Sequence, residues 1–383
     1  MKRKRLLFIT RHRLNENNGG ANASKVFLKC FAKLFSDCSV ILPAIDTPSP
    51  FVPPACHLYP YADHRSNISK GIDMYRGHIC ANELVVKSHL KEHHYDVAVV
   101  DHSFAGAGLC KVIKASGAQM VTIHHNVERD YLRDSAHEHS LLYRLPYLYF
   151  AKKAERDCLA YSDLNLTVTE QDAAEFRQWE GVRAESIHSW GIFEYEDMPA
   201  KTFSEVKDRH TFIITGSLCF EQSLRPILHF IDNYWPLVLG QCPEARLIVA
   251  GRNPAHQLVQ ACSRHSSINL VANPQDMAEL VRQASFYLCP INAGSGRKLR
   301  VMDGLKQGLP VLCHDISAAG YESMAQANCL FAYHDEQSFQ TALAHMLAAT
   351  VNPDQVYSTF CNSYSVDTGT EQLRQLLNSH HII

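Results

Sequence analysis

Short apolar runs recur along the chain, and each is followed by a segment with helical periodicity. A first series occupies residues 6–10, 39–44, 96–101, 119–125 and 164–169, and a second occupies 211–216, 245–251, 268–272, 286–290 and 309–315. Uninterrupted Val, Ile and Leu runs between helices are typical of strands in a parallel sheet that is covered on both faces. The pattern therefore predicts two α/β domains, each a doubly wound parallel sheet.

The chain length also favours two domains, because 383 residues exceed what one hydrophobic core usually serves. The alternation of strands and helices predicts that both are Rossmann-like. Residues 193–210 are polar and charged and contain Pro199, which is typical of a linker. We expect an N-terminal acceptor-side domain at 1–195, a C-terminal domain at 205–352, and a tail at 353–383 that packs back toward the N-terminal domain. Two facing domains leave a cleft, and ligands bind beyond the carboxyl ends of such strands.

The composition excludes several classes of function. Apolar residues make up 46% and charged residues 20% of the chain, and a net charge of −2 argues against a nucleic-acid partner. The 13 cysteines are scattered without a CxxC pair, which favours buried thiols in a reducing cytoplasm over disulfides. The sequence contains neither an HExxH motif nor an apolar run of membrane-spanning length, so we expect no metal site and no membrane span.

The most informative motif follows the fourth strand of the second series. Gly294 and Gly296 predict a flexible loop, and Gly308 before Pro310 predicts a helix end. The helix is expected to begin near Arg297 and to run for about ten residues. Its N-terminus would present unpaired N–H groups and a partial positive charge, which is a natural anion site.

Charged residues around this predicted helix indicate what the anion is. Lys298 and Arg300 add positive charge that suits a diphosphate. Asp303 and Gly304 at the helix centre are poor helix formers. An aspartate one turn beyond a phosphate site can accept hydrogen bonds from a ribose diol, and an adjacent glycine lets another group approach closely. The alternative is that Asp303 pairs with Arg300 or Lys306 on a solvated face.

Polar residues also follow strands elsewhere in the chain. His124 and His125 end the fourth apolar run. Each of these histidines is either a functional residue or a side chain buried in the core. Gly19 and Gly20 precede a helix, where backbone can approach a phosphate, and a plain loop is the alternative. Arg252 lies at the end of a predicted strand. It is expected either to bind a phosphate or to be an ordinary surface residue. The lack of GxGxxG after the first strand argues against a dinucleotide cofactor.

Residues 294–311 resemble the donor-site signature of GT-B glycosyltransferases, particularly the large retaining group called family four. The shared pattern is G-S-G-x-K-L-R-V-x-acid-G-L-x-x-G-x-P-V, and the similarity extends over most of residues 210–330. The resemblance implies a GT-B fold, a diphosphate at Lys298, and a ribose at Asp303, where the family has Glu. Ser295 stands where many members carry a further Glu, as in a subgroup with a G-x-G-x-K loop.

The resemblance also implies roles for residues outside the signature. It places His125 first, and His124 second, near the reacting sugar. The donor-binding residues that it implies are Gly19, Gly20, Gly216, Ala272, Gly294, Ser295, Gly296, Arg297, Lys298, Asp303 and Glu322.

Together these observations predict a cytoplasmic enzyme that moves a sugar from a nucleotide-sugar donor to a glycan or lipid-linked acceptor in polysaccharide biosynthesis. The resemblance alone implies that the reaction retains the configuration of the sugar. The expected catalytic residues are His125, His124, Lys298 and Arg252, of which the two cations stabilise the departing diphosphate. The nucleotide sugar is a co-substrate, and no cofactor or metal is expected. The aromatic and basic stretch 141–156 is either a packed helix or a surface helix that contacts the inner face of the membrane.

Two alternatives stay open at this point. A nucleotide-sugar epimerase on the same fold would need a pair of acid–base carboxylates, which the sequence does not identify. A catalytically inactive nucleotide-sugar-binding partner is compatible with Ser295 and Asp303 at positions where the family carries Glu.

Overall fold

A computed structural model describes most of the chain. The residues it describes are 4–16, 18–44, 52–75, 82–103, 105–129, 141–194, 198, 203, 209–294 and 296–383, with the backbone alone for 67, 74–75 and 141–147. Within this part, no helix combines the length and the apolar character that crossing a bilayer requires.

The N-terminal half forms a parallel sheet that contains seven strands in the described residues, in the order β3-β2-β1-β4-β5-β6-β7. Each of β1, β2, β4 and β5 is an apolar run with almost no exposed side chain, as expected of strands with helices on both faces. The strands are β1 Arg5–Thr10, β2 Asp37–Pro43, β3 Cys56–Tyr61, β4 Val97–Asp101, β5 Gln119–His124, β6 Leu164–Thr167 and β7 Ile187–Ser189.

The C-terminal half forms a second parallel sheet, with six strands in the described residues and the order β10-β9-β8-β11-β12-β13. Its core clusters around Phe212, Trp235 and Phe339, all of which are fully buried. The strands are β8 Thr211–Ser217, β9 Arg246–Arg252, β10 Ile268–Ala272, β11 Phe286–Cys289, β12 Val311–His314 and β13 Leu330–Tyr333.

Helices lie between most consecutive strands in both halves. Those of the N-terminal half are α1 Gly19–Leu34, α2 Asn67–Tyr75, α3 Glu83–Glu92, α4 Gly106–Ala115, α5 Leu141–Tyr161 and α6 Glu170–Arg177. Those that follow are α7 Glu221–His229, α8 Trp235–Gln241, α9 His256–Ser263, α10 Met277–Arg282, α11 Arg300–Leu305, α12 Asp315–Ala318, α13 Glu322–Gln326, α14 Glu336–Ala348, α15 Pro353–Tyr364 and α16 Val366–Ser379. A short 3-10 helix spans Ala184–Ser186, and a π-helical turn at Phe230–Tyr234 joins α7 to α8.

The prediction of two doubly wound parallel sheets is confirmed. The apolar runs do not predict β3 and β13, each of which lies at one edge of its sheet. β3 contains Pro60 and has only partly buried and exposed side chains, and β13 has only four residues. Edge strands tolerate proline and exposed side chains because one side of their backbone has no partner in the sheet.

The chain divides into two compact units. The N-terminal unit comprises Met1–Asp197, Gly294–Gly296 and Tyr364–Ile383, and the C-terminal unit comprises Met198–Ala293 and Arg297–Ser363. The last helix, α16, therefore belongs to the N-terminal unit. It contacts α1, and the indole Nε1 of Trp190 donates a hydrogen bond to the carbonyl oxygen of Gly369 at 2.9 Å.

The strand order places a crevice in each sheet. Strand order reverses between β1 and β4 in the first sheet and between β8 and β11 in the second. At such a switch point the chain leaves neighbouring strands toward opposite faces, which opens a crevice outside their carboxyl ends. The residues that follow β1, β4, β8 and β11 are therefore the first candidates for function.

Gly304, at the centre of α11, is explained by packing. A Cβ atom on Gly304 would lie 2.5 Å from Cγ of the buried Tyr287 on β11. The group that approaches this glycine closely is thus a core ring. We expect Gly304→Ala to lower the free energy of unfolding by about 1–3 kcal/mol because the ring would have to move.

The control for this prediction is Gly240→Ala in α8. No atom lies within 4 Å of a Cβ built on Gly240, so alanine is expected to stabilise that helix by up to about 1 kcal/mol. Thermal unfolding of both variants checks the difference. Equal melting temperatures for Gly304→Ala and the wild type would contradict the packing argument.

Candidate active site

The crevice of the N-terminal unit is lined by histidines and carboxylates. His12 follows β1, Asp101 ends β4 and is followed by His102, and His125 follows β5. Thr10 and Asp101 are Cα partners across the β1–β4 pair. The parallel register therefore brings residues that are distant in sequence to one end of the sheet.

Three imidazole rings contact one another in this crevice. The ring centroid of His12 lies 5.2 Å from that of His125 and 5.5 Å from that of His102, and the latter two are 5.3 Å apart. Gly20 makes room for this array, because a Cβ on that residue would lie 2.5 Å from Cε1 of His12. Of the two glycines predicted from the sequence, Gly20 borders the array, whereas a Cβ on Gly19 would meet nothing within 4 Å.

Two of the rings are paired with buried carboxylates. His125 Nε2 lies 2.6 Å from Asp101 Oδ1, and His102 Nε2 lies 3.2 Å from Glu128 Oε1. Burial acts to raise the pKa of each carboxyl group, but the interaction with its histidine, which includes a hydrogen bond, outweighs burial and lowers the pKa to about 2 in both. Both carboxylates are therefore ionised at neutral pH.

The third imidazole is held neutral. Burial, followed by the neighbouring His125 and His102, lowers the pKa of His12 to about 3. Burial also lowers the pKa of His102. A neutral imidazole has one donor and one acceptor nitrogen, so it can either donate a hydrogen bond to a hydroxyl group or accept one from it.

The backbone at His102 is strained. Its φ of 114° lies in the left-handed region, which a branched ring side chain rarely occupies. The amide of His102 donates a hydrogen bond to the carbonyl oxygen of Ile123 at 3.1 Å, which anchors this turn to β5. Strain of this kind persists where surrounding contacts over-determine the conformation, and it is concentrated at functional sites.

Glu155, on α5, supports the turn that carries Glu128. Its carboxyl oxygens accept hydrogen bonds from the amides of Glu128 at 2.6 Å and Arg129 at 3.3 Å. Burial raises the pKa of Glu155 well above its usual value. The contact fixes the position of Glu128 relative to His102.

His124 points away from this array and into the core. Its Nε2 lies 3.0 Å from Oδ1 of Asn165, and its ring packs against Phe176 at a centroid distance of 4.8 Å. Burial lowers the pKa of His124 to about 4. Successive side chains of a strand alternate between faces, which explains why His125 reaches the crevice and His124 does not.

In the C-terminal unit the strand ends bring together three residues predicted from the sequence. Gly216 and Ala272 are both Cα partners of Gly251, and Arg252 pairs with Ser217. A Cβ on Gly216, whose φ is 159°, would collide with the guanidinium group of Arg300. That group also donates a hydrogen bond to the carbonyl oxygen of Thr215 at 3.4 Å, so a cation lies at the end of β8.

The loop before α11 gathers a second group of predicted residues. The guanidinium of Arg297 lies 5.2 Å from the ring centroid of Tyr321, whose hydroxyl donates a hydrogen bond to the carbonyl oxygen of Lys298 at 3.0 Å. Glu322 accepts a hydrogen bond from the amide of Gly320 at 2.8 Å. The Arg297 guanidinium, the Glu322 carboxylate and the main chain of Lys298 thus meet at the turn of Gly320 and Tyr321.

Both described glycines of this loop have left-handed backbone conformations, which glycine adopts readily. Gly294 and Gly296 have φ values of 84° and 72°, which side-chain-bearing residues rarely adopt. Ser295 lies outside the described residues.

The predicted length and start of the signature helix are wrong. α11 begins at Arg300 and has six residues, so Arg297 and Lys298 precede the helix instead of opening it. Asp303 lies 3.7 Å from Nζ of Lys306 with 40% of its side chain exposed. This ion pair is the alternative that the sequence left open, and ribose binding by Asp303 stays a prediction.

Three further residues of the site escaped the sequence analysis, namely His12, Asp101 and His102. Each directly follows or ends an apolar run, so the rule that function lies beyond strand ends would have included them. Among the described residues, no group of three or more His, Cys, Asp and Glu side chains has an arrangement that holds a metal ion.

Comparison with known proteins identifies the family. Residues 209–349 match the family model described as glycosyl transferases group 1, and residues 18–191 match that of glycosyltransferase family 4. No curated protein matches the chain.

Solved structures share the fold at low sequence identity. HepE of Anabaena, crystallised with UDP, has a TM-score of 0.66 and 15% identity, and the alignment covers 98% of this chain and 100% of HepE. The lipopolysaccharide outer core galactosyltransferase WaaB has a TM-score of 0.67 and 11% identity, with 98% and 99% covered. A Listeria monocytogenes protein described as a UDP-N-acetylglucosamine 2-epimerase has a TM-score of 0.58 and 11% identity, with 99% and 97% covered.

The two parallel α/β units and the structural matches establish a GT-B fold. Because the two family models together match most of the chain, the protein is a glycosyltransferase that belongs to the group 1, family-four glycosyltransferases.

Proposed function

We propose that this glycosyltransferase moves a sugar from a nucleoside-diphosphate sugar to a glycan or a lipid-linked acceptor in polysaccharide biosynthesis, with retention of configuration. The observation that carries the proposal is that Arg297, Glu322 and the main chain of Lys298 meet at the turn of Gly320 and Tyr321, within the stretch matched by the group 1 model. A guanidinium fixed beyond a strand end suits a diphosphate, and Lys298 adds a second positive charge to the same loop. HepE with UDP supports the donor class.

The proposed mechanism is charge stabilisation at the leaving group. The bond between the sugar C1 and the diphosphate oxygen breaks, and the acceptor oxygen bonds to C1 on the same face. The departing phosphate oxygen takes the proton of the acceptor hydroxyl. Lys298 and Arg252 stabilise the negative charge that develops on the diphosphate. His125 binds a hydroxyl of the reacting sugar, and no metal or further cofactor takes part in this proposal.

The roles proposed for the remaining residues follow their positions. Gly216 and Ala272 end neighbouring strands, where backbone can approach the nucleotide. Asp303 is proposed to bind the ribose. The array of His12, His102 and His125 is proposed to recognise sugar hydroxyls, because burial and mutual contact hold His12 in its neutral form.

A catalytically inactive binding protein and an epimerase are the alternatives. The Listeria protein described as an epimerase shares this fold, so the fold alone does not separate an epimerase from a transferase. The buried carboxylates Asp101 and Glu128 are each paired with a histidine, which argues against their use as a free acid–base pair.

A thermal-shift panel of nucleoside diphosphates tests donor binding. Ligand that binds only the folded protein stabilises it by about 2.7 kcal/mol at a concentration of one hundred times Kd. We expect one base to raise the melting temperature clearly more than the others at equal concentration. The matching nucleoside monophosphate is the control, because it lacks the second phosphate. If no diphosphate shifts the melting temperature at millimolar concentration, the proposed donor class is wrong.

A further inference from the structure

We propose that Asp101 is a positioning residue that holds His125 in the tautomer with its proton on Nε2, so that Nδ1 offers a lone pair to a sugar hydroxyl. The inference rests on the proposed function only for the identity of the ligand, since that proposal places a sugar beside His125. The tautomer itself is a property of the protein without ligand.

The contact between the two side chains fixes the proton. His125 Nε2 and Asp101 Oδ1 are 2.6 Å apart, and their side chains are 6% and 0% exposed. An ionised carboxylate has acceptor oxygens and no proton to donate. A neutral imidazole at this distance must therefore carry its proton on Nε2, which leaves Nδ1 as the acceptor nitrogen.

Packing prevents the ring from exchanging its two nitrogens. The His125 ring packs T-shaped against Phe27 at a centroid distance of 5.3 Å and an angle of 86°, and it stacks on His12 at an angle of 26°. A ring flip would have to displace these neighbours and break the bond to Asp101. Among the described residues, no hydrogen bond reaches Nδ1 of His125.

The tautomer determines the kind of group that His125 can bind. A lone pair on Nδ1 accepts a hydrogen bond from a hydroxyl group. It repels a phosphate or carboxylate oxygen, because two acceptors would then face each other. The pair therefore selects a neutral sugar hydroxyl over an anionic group at this point of the crevice.

The wild-type protein provides the first test. Histidine labelled with nitrogen-15 gives distinct signals for the two neutral tautomers and for the protonated ring, and the signal of His125 is assigned by its loss in His125→Gln. At pH 8 and without ligand, we expect a proton on Nε2 and none on Nδ1. A protonated Nδ1, in either the other tautomer or the charged ring, would overturn the proposal.

A pair of matched variants tests the role of Asp101. Asp101→Asn replaces the carboxylate by an amide that can donate to Nε2, so we expect a measurable fraction of His125 to carry its proton on Nδ1 instead. Glu128→Gln makes the same chemical change in the neighbouring pair and should leave the His125 signal as in the wild type. An unchanged His125 tautomer in folded Asp101→Asn contradicts the inference, and the wild-type spectrum decides it should that variant fail to fold.

Activity supplies a separate readout. Hydrolysis of the donor by Asp101→Asn is expected to fall about 10- to 100-fold in kcat, the usual cost of removing a partner that orients a functional histidine. If the wild type itself releases no nucleoside diphosphate while His125 has the expected tautomer, the proposed function is wrong and the positioning role of Asp101 stands. If the wild type releases nucleoside diphosphate but His125 carries a proton on Nδ1, the proposed function stands and the positioning role of Asp101 is wrong.

Discussion

Lys298→Ala is expected to lower kcat for donor cleavage about 10²- to 10³-fold, the usual cost of removing one group that stabilises transition-state charge. Folding should be little affected. The hydrogen bond from the Tyr321 hydroxyl ends on the main-chain oxygen of Lys298, which alanine retains. The measurement is the steady-state rate of nucleoside diphosphate release, combined with thermal unfolding of each variant.

Arg282→Ala is the control for the loss of one positive charge in the same unit. Arg282 pairs with Glu279 on α10 with 44% of its side chain exposed, and such surface pairs contribute little to stability. We expect its turnover to match that of the wild type. Turnover of Lys298→Ala within a few fold of the wild type would show that Lys298 does not bind the diphosphate.

Acid is expected to destabilise the N-terminal unit well before its carboxylates are protonated. Burial and the neighbouring imidazoles lower the pKa of His12 to about 3 in the folded state, whereas an imidazole in the unfolded chain titrates near 6.5. Between these pH values the unfolded state binds a proton that the folded state does not. The free energy of unfolding therefore falls as pH decreases through this window.

The carboxylates of the array add to acid sensitivity at lower pH. The pKa of Asp101 and that of Glu128 are both lowered to about 2 despite burial, by their histidines. A carboxylate with a lowered folded pKa contributes stability above its unfolded value near 4, and this contribution is lost as pH falls toward 2. Both effects act in the same direction.

His12→Asn tests the contribution of one ring. Near pH 5 the unfolded wild type binds one proton at His12 that the folded wild type does not bind, and the variant lacks this difference. The slope of the unfolding free energy against pH should therefore fall by up to about 1.4 kcal/mol per pH unit. Urea unfolding followed by the fluorescence of Trp179 and Trp190, which belong to the N-terminal unit, gives this slope. His345→Asn replaces an exposed histidine of the other unit and serves as the control. A variant slope equal to that of the wild type would contradict the neutral state of His12.

The main strands could be predicted because their signal is local. An apolar run such as residues 211–216 shows a buried strand without any knowledge of its neighbours. The edge strands β3 and β13 lack this signal, since a strand with one free side does not need a continuous apolar sequence. Their existence depends on pairing with β2 and β12, which is not visible in the local pattern.

The signature helix shows where local rules mislead. Its end was predictable from Gly308, whose φ of 75° suits glycine. Its start was not, because Arg297, Lys298 and Leu299 are good helix formers and no Ser, Thr, Asp or Asn cap precedes Arg300 to mark the true beginning. Lys298 and Leu299 instead form a tighter turn, because their carbonyl oxygens accept hydrogen bonds from the amides three residues ahead, those of Val301 and Met302.

The histidine array could be predicted only in part. His125 stands out in the sequence because it ends an apolar run. Asp101 and His12 become its neighbours only when β4 and β5 pair and β1 lies beside β4. That strand order is a property of the whole sheet, so the pairing of Asp101 with His125 is a product of tertiary structure.

The most direct test of the central claim is phosphorus NMR of the wild-type protein incubated with the nucleotide sugar whose base gives the largest thermal shift. We expect slow loss of the nucleotide-sugar signals and the appearance of free nucleoside diphosphate, with faster release once a suitable acceptor is added. Conversion to an intact nucleotide sugar with a new sugar configuration would identify an epimerase instead. A bound nucleotide sugar that stays unchanged over days, with and without candidate acceptors, would contradict the claim that this chain transfers sugars.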